Sequence, residues 1–138
     1  MWKIKNLIKK ENTLYLKYRK KEGTYLKKEK ISTEVESMTI ILHSGNAKSD
    51  SYEALQAVKQ GNFQTFEEKY QSAKDEIKLA HKAHAEMLRK LSSEDCMDDV
   101  DLLLIHAEGH LTSTAIAVDM IGEFGELYKI NKGEQVNG

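Results

Sequence analysis

Proline is absent from this chain of 138 residues, and that absence constrains the fold more than any other feature. A proline inside a helix removes a hydrogen bond and clashes with the preceding turn, so a chain without one can sustain long helices. Eight glycines remain as the main residues at which a helix can end. We therefore expect an all-α protein built from long helices.

The first predicted helix runs from Thr33 to Gln60. Thr33 and Glu36 have the spacing of a capping box, in which a hydroxyl and a carboxylate each accept a hydrogen bond from a backbone N–H at the helix start. Gly61 suits the left-handed position that follows a helix. The apolar residues between these ends recur with helical spacing: Val35, Met38, Ile41, Leu42, Tyr52, Leu55 and Val58.

Asn62 can cap a second helix, whose apolar residues recur at alternating intervals of three and four. This narrow spacing is typical of a helix that packs on its neighbours at coiled-coil-like angles. The acidic stretch SSEDCMDD at 92–99 is predicted to be a loop, and its carboxylates suit the positive end of a following helix. The apolar positions are Phe63, Phe66, Tyr70, Ala73, Ile77, Ala80, His84, Met87 and Leu91.

The third predicted helix, from 98 to 132, carries apolar residues on two stripes. A helix with two partly apolar stripes usually has two neighbours, one in its own bundle and the other a candidate second subunit. One stripe contains Val100, Leu103, Ala107, His110, Thr114, Ala117, Ile121, Phe124 and Tyr128, and the second contains Leu102, His106, Gly109, Ser113, Ile116 and Met120.

The composition excludes several protein classes. Hydrophobic residues make up 40% and charged residues 31%, as in an ordinary soluble, helix-rich domain. No apolar run approaches the roughly 20 residues that a membrane-spanning helix needs. The basic N-terminus has neither an uninterrupted apolar segment nor a small-residue cleavage site, so we predict no secretory signal. Cys96 is the only cysteine and cannot form an internal disulfide, which favours a cytoplasmic location.

Charge divides the chain into two parts. Residues 1–30 hold 11 Lys and Arg but three Glu, a net charge of +8, whereas the remaining 108 residues hold 10 basic and 19 acidic groups, a net charge of −9. We predict a poorly ordered or loosely packed basic extension over residues 1–30, with a β-hairpin as one alternative, and a helical domain over residues 31–138. A solvated extension is favoured over one that contacts nucleic acid or anionic lipid.

Two histidines one helical turn apart, in the stretch LIHAEGHLTS, are the main candidates for chemistry. His106 and His110 have the spacing of two metal ligands on a helix. However, the zinc motif H-E-x-x-H needs glutamate directly after the first histidine, and Glu108 lies two residues on, about 160° away around the helix. The inverted motif H-x-x-E-H fails because Gly109 occupies its glutamate position. No third ligand stands at convincing spacing, which disfavours zinc.

Phosphoryl transfer suits the same pair better. A neutral imidazole is a nucleophile, and the labile phosphoramidate that it forms can pass its phosphoryl group on. His106 would supply the nucleophile and His110, one turn away, would orient it or hold the phosphoryl oxygens. Gly109 removes bulk where a partner might approach. The alternative for each histidine is a structural role at a helix interface.

Four stretches, taken together, match one known family. SGNAKS and QGNF lie at the first helix and first turn, HAEGHLTS corresponds to an H-x-x-D-H-L-M-T motif, and ELYK follows near the end. With these stretches, about residues 33–132 resemble the lactose/cellobiose-type IIA component of the bacterial sugar phosphotransferase system. The resemblance implies an antiparallel three-helix bundle that assembles as a homotrimer.

The resemblance also implies a function and roles for single residues. A cytoplasmic phosphocarrier would accept a phosphoryl group from phospho-HPr and pass it to a cysteine of the IIB component, driving uptake of a disaccharide of cellobiose/chitobiose or lactose type. His106 matches the phosphorylated histidine, His110 the supporting histidine, and Glu108 replaces a glutamine as candidate support. His81 matches a histidine with a structural role. No nucleic acid and no membrane insertion are expected.

One residue departs from the family pattern. The family usually has aspartate where this chain has Gly109, and three such carboxylates bind a metal ion at the trimer centre. Glycine offers no ligand, so we expect neither this metal ion nor any other cofactor. The departure leaves two alternatives to phosphoryl transfer: a non-catalytic helical interaction module or a degenerate paralogue. The basic extension lies outside the resemblance, which suggests that translation starts nearer Leu26; a native peptide from residues 1–20 would refute this.

Overall fold

The structure, a computed structural model, describes residues 18–21, 24–27, 30–94 and 96–136. The chain forms two compact units, residues 1–31 and residues 32–138. In the first unit, strand β1 (Tyr18–Lys21) pairs antiparallel with strand β2 (Thr24–Lys27). This confirms the hairpin alternative for these residues. The prediction of poor order over residues 1–30 falls largely outside the described residues.

The second unit is helical throughout its regular structure. Helix α1 spans Glu34–Lys59, α2 spans Phe63–Ser93, and α3 spans Leu102–Val136 after a 3₁₀ turn at Met97–Asp99. The predicted three helices are therefore confirmed. α2 extends two residues into the predicted loop, and α3 begins four residues later than predicted. None of the helices in the described part of the chain has the length and apolarity to cross a bilayer.

The predicted helix ends at Thr33, Gly61 and Asn62 are confirmed, but the predicted capping box at Thr33 is wrong. Gly61 has a φ of 79°, and the side chain of Asn62 accepts a hydrogen bond from the Thr65 N–H at 3.1 Å. Thr33 makes no capping box. Its buried hydroxyl instead donates to Asp101 Oδ2 at 2.8 Å, because the start of α3 lies beside the start of α1.

Side-chain contacts set the directions of the three helices. Glu36 near the start of α1 pairs with Lys90 near the end of α2 at 3.6 Å, so these helices run in opposite directions. Glu67 near the start of α2 pairs with Lys129 towards the end of α3. α1 and α3 consequently run parallel to each other and antiparallel to α2. The predicted seam of α2 is confirmed, with Phe66, Ala73, Ala80, Met87 and Leu91 buried.

The two apolar faces of α3 differ in burial. The buried face repeats every seven residues, as expected for close helix packing. Within the predicted first stripe, His110 and Phe124 are exposed, and the whole second stripe is exposed in the single chain. The buried positions are Leu104, Ala107, Leu111, Thr114, Val118 and Ile121, whereas Leu102, Ile105, Ile116, Met120, Leu127 and Ile130 are exposed.

Candidate functional site

His106 and His110 contact each other directly. Their Nε2 atoms are 3.1 Å apart, and their rings meet edge to face with centroids 4.6 Å apart and an interplanar angle of 84°. Two ring nitrogens at this distance form a hydrogen bond only if one carries a proton and the other presents its lone pair. A hydrogen bond between the two rings would use one imidazole nitrogen as the acceptor and the N–H of the other ring as the donor.

Residues near the histidine pair set the start and the rotation of α3, and thereby the side of the helix on which the two imidazoles lie. Asp101 accepts the Leu104 N–H at Oδ1, 3.0 Å away, and the Thr33 hydroxyl at Oδ2, which sets the start of α3. Ala107 and Leu111 are buried and set the rotation of the helix. His106 and His110 precede these two residues by one position each, so a turn of about 100° leaves both imidazoles exposed on the flank of the buried face.

Gly109 lies on the face opposite the core. A Cβ built on Gly109 would meet nothing within 4 Å, and the groove around it is lined by Ile105, Thr112, Ser113 and Ile116. The Ser113 hydroxyl donates to the Gly109 carbonyl at 2.8 Å, an ordinary bond back to the preceding turn. This part of α3 thus presents an open apolar surface next to the imidazoles.

The structure does not bring Glu108 to the histidine pair. Glu108 is exposed and lines the groove around Gly109. Two residues along a helix correspond to a rotation of about 200°, or about 160° the shorter way round, so the Glu108 carboxylate leaves α3 on the other side from His106. Its role as a supporting group stays a prediction.

The expectation that no metal ion binds at this site stays a prediction. Within the part of the chain that the structure describes, no group of three or more His, Cys, Asp or Glu could hold one. A centre shared by three copies would draw one ligand from each copy, and Gly109 brings no side chain to it.

The other histidines lie away from α3. His81 is exposed on α2, and His84 of the predicted seam is half-buried. His43 on α1 contacts Glu76 on α2, with Nδ1 2.7 Å from Oε2, and Asn46 donates to the same oxygen at 3.2 Å. Sequence reasoning missed this interhelical contact, because its partners are 33 residues apart and no local spacing reveals them.

The chain is similar to one family of known proteins. Residues 35–129 match the family model for "PTS system, Lactose/Cellobiose specific IIA subunit". The oligo-beta-mannoside-specific EIIA component of a PTS system in Bacillus subtilis is 36% identical over 93 residues, which cover 67% of this chain and 84% of that protein. The matched residues include the whole histidine pair and all but the ends of α1 and α3.

Two solved structures have the same fold. The PTS cellobiose-specific enzyme IIA from Bacillus anthracis gives a TM-score of 0.68 at 33% identity, over 75% of this chain and 94% of that one. A chain in the IIA(Chitobiose)–HPr complex of the Escherichia coli phosphotransferase system gives a TM-score of 0.65 at 30% identity, over 74% and 98% of the two chains.

Proposed function

The chain belongs to the lactose/cellobiose-specific IIA family of the phosphotransferase system, and we propose that His106 is the residue on which it carries a phosphoryl group. It is a phosphotransfer protein of sugar uptake, as IIA components are. The observation that carries the proposal is the exposed imidazole pair, with two Nε2 atoms 3.1 Å apart, inside the region matched to the family.

In the proposed reaction, His106 accepts the phosphoryl group from phospho-HPr. The lone pair of its Nε2 attacks phosphorus, the N–P bond in HPr breaks with its electrons returning to the HPr imidazole, and an N–P bond to His106 forms. A thiolate of the IIB component then attacks the same phosphorus, and His106 leaves as a free imidazole. HPr as the donor is supported by the similarity to an IIA protein that forms a complex with HPr.

His110 is proposed to position His106 and to stabilise the transferred group. Before transfer, its Nε2–H donates to the Nε2 lone pair of His106 and holds that ring in place. On transfer the lone pair becomes a bond to phosphorus, so the same N–H turns to a phosphoryl oxygen close by. Glu108 would act on a partner seated over the groove, since it lines that groove and faces away from the imidazoles.

A trimer of three-helix bundles is the proposed assembly. The exposed apolar residues of α3 form a long face around Gly109, and monomeric proteins rarely leave such a face uncovered. Three copies that pack these faces together would place His106 and His110 near a subunit boundary. Gly109 would lie at the centre, and we propose that this trimer assembles without a metal ion.

The proposed setting is the cytoplasm, and the proposed substrate is a disaccharide of cellobiose/chitobiose or lactose type. The buried, unpaired Cys96 is compatible with a reducing compartment. Similar proteins include IIA components specific for lichenan, lactose and N,N'-diacetylchitobiose.

A non-catalytic role is the second candidate, and Gly109 is the observation that favours it. Loss of the family's aspartate is expected in an interaction module or paralogue that kept the helices and lost the chemistry. Incubation with phosphoenolpyruvate, enzyme I, HPr and the chain separates the two candidates. Phosphoryl transfer adds about 80 Da to the intact mass of the chain, whereas an unchanged mass in the presence of phosphorylated HPr would support the non-catalytic candidate.

A further inference from the structure

The Thr33 hydroxyl connects the starts of α1 and α3. The backbone of Thr33 begins α1, because its carbonyl accepts the Ser37 N–H at 2.9 Å. Its side chain makes no cap for that helix and instead donates to Asp101 Oδ2 at 2.8 Å. Thr33 is 1% exposed, so this bond is shielded from water, where a hydrogen bond is electrostatically stronger. We call the hydrogen bond between Thr33 and Asp101 the clasp.

Asp101 also holds the first turn of α3. Its Oδ1 accepts the Leu104 N–H at 3.0 Å, and its backbone carbonyl accepts the Ile105 N–H at 3.2 Å. The first N–H groups of a helix have no partner in the helix itself, so a side chain that accepts one of them keeps the first turn formed. The clasp therefore attaches the first turn of α3 to the start of α1.

His106 lies close enough to this helix end to depend on it. It is the fifth residue of α3, which begins at Leu102. Its side chain is exposed, so its ring contacts His110 but is not enclosed by the core. The nearest buried side chains along α3 are Leu104 and Ala107, and alanine contributes only a methyl group. The direction of the His106 imidazole is therefore set by the backbone, and the backbone opens most readily at helix ends.

We propose that Thr33 and Asp101 are positioning residues for phosphoryl transfer, because their clasp keeps the first turns of α3 in the arrangement that sets His106 against His110. This proposal rests on the proposed role of His106. Without the clasp the first turn of α3 opens more often, and the fraction of molecules in the reactive arrangement falls. A displacement of about 1 Å at a reacting atom can slow a reaction about 100-fold, so a partial loss of this arrangement should slow transfer about tenfold.

Thr33→Val tests the proposal with a small change, because it removes the hydroxyl and keeps the branched shape. We expect the rate of transfer at saturating phospho-HPr to fall about tenfold. The phospho-HPr concentration that gives half the maximal rate should stay within about twofold of the parent value, because Thr33 is buried and offers no surface to a partner. Thr33→Ser keeps the hydroxyl and should react at nearly the parent rate.

Ser51→Ala is the matched control for these rates. Like Thr33, Ser51 is a buried hydroxyl residue of the α1 region, but its hydroxyl donates within its own helix, to the Lys48 carbonyl at 2.8 Å. It makes no link to α3 through that bond, so Ser51→Ala should transfer phosphoryl groups at the parent rate. Each variant is measured at a temperature where circular dichroism shows it to be folded.

The NMR signals of the imidazole nitrogens separate positioning from stability. In the folded, unphosphorylated chain, Thr33→Val should move the ring-nitrogen signals of His106 and His110 towards those of separate imidazoles, because their contact opens more often. The signals of His43, which contacts Glu76 between α1 and α2, should not move. A bond that only raised the free energy of unfolding would leave all of these signals unchanged in folded molecules.

Four results would overturn the proposal: transfer by Thr33→Val at the parent rate, the same slowing in Ser51→Ala, a Thr33→Ser variant as slow as Thr33→Val, or unmoved ring-nitrogen signals of His106 and His110. The role of His106 is tested separately. A parent chain that accepts no phosphoryl group would refute that role, and the ring-nitrogen signals would still show whether the clasp positions the pair. A parent chain that is labelled on His106, with Thr33→Val equally fast, would refute only the clasp.

Discussion

Helix α3 has two apolar faces, and they differ in what covers them. Leu104 and Leu111 are almost completely buried among the three helices, whereas Leu102 and Ile105 are 81% and 56% exposed. Both faces have helical periodicity and similar side chains. The buried face fixes how α3 is rotated, and that rotation places His106 and His110 where a partner can reach them. One face therefore builds the fold, and the exposed side of the same helix carries the residues of the proposed chemistry and the proposed assembly.

Replacing His106, the proposed nucleophile, should have the largest effect on phosphoryl transfer. It should leave the packing of the buried face unchanged. His106→Ala should fold as the parent chain does, because the side chain is exposed, but it should accept no phosphoryl group from phospho-HPr. His106→Gln should behave in the same way, since an amide is not nucleophilic enough. Time courses of intact mass measure this, with the exposed His81→Ala as the control. Labelling of His106→Ala at the parent rate would assign the chemistry to another residue.

Substitution of His110 should slow phosphoryl transfer less than substitution of His106, because His110 is proposed to position the nucleophile and not to attack phosphorus. We expect His110→Ala to slow phosphoryl transfer by ~10–1000-fold, the range for one positioned group. His110→Gln keeps an N–H donor and should recover part of this loss. Quenched-flow labelling gives the rates. A fully inactive but folded His110→Ala, or one that reacts at the parent rate, would contradict the assignment.

The same substitution at two glycines of α3 should change the free energy of unfolding in opposite directions. A Cβ on Gly125 would run into the ring of the buried Phe66, so Gly125→Ala should cost about 1–3 kcal/mol. A Cβ on Gly109 meets nothing within 4 Å, so Gly109→Ala should gain about 0.5–1 kcal/mol from helix propensity. Urea unfolding measures both. A loss at Gly109 as large as that at Gly125 would contradict this prediction, and it would mean that the centre of the proposed trimer does not accommodate a Cβ at residue 109.

The smallest expected effect concerns the centre of the proposed trimer. Gly109→Asp would supply three carboxylates, and a divalent metal at about five times its dissociation constant would then stabilise the assembly by about 1 kcal/mol, roughly 4 °C in Tm. The parent chain should show no shift on the same metal titration. A metal-dependent rise in the Tm of the parent chain would mean that other residues bind the metal. A monomer at micromolar concentration in light scattering would refute the trimer.

Local patterns predicted those parts of the fold that depend on neighbouring residues. The three-and-four spacing identified the buried seam of α2, and Gly61 and Asn62 marked the turn before it. Contacts between distant residues could not be read in this way. The Thr33 hydroxyl donates a hydrogen bond to Asp101, 68 residues later, and does not form the predicted capping box.

The two faces of α3 show a second limit of sequence patterns. Periodicity placed His110 and Phe124 on the first of two stripes and included neither Leu104 nor Leu111, which are buried. Both faces are apolar, so spacing alone does not tell which of them meets α1 and α2. The histidine pair itself was predictable, because one helical turn brings residues i and i+4 together whichever face is buried.

Mapping the phosphoryl group to a single residue tests the central claim most directly. Cleavage after Lys90 and Lys129 releases residues 91–129, which contain His106 and His110 but none of the other three histidines. After transfer from phospho-HPr at neutral pH, fragmentation of this peptide should place the added mass of about 80 Da on His106. The same mass on His43, His81 or His84, or on His110 with His106 unmodified, would contradict the assignment of the exposed side of α3 and its first histidine as the phosphoryl acceptor.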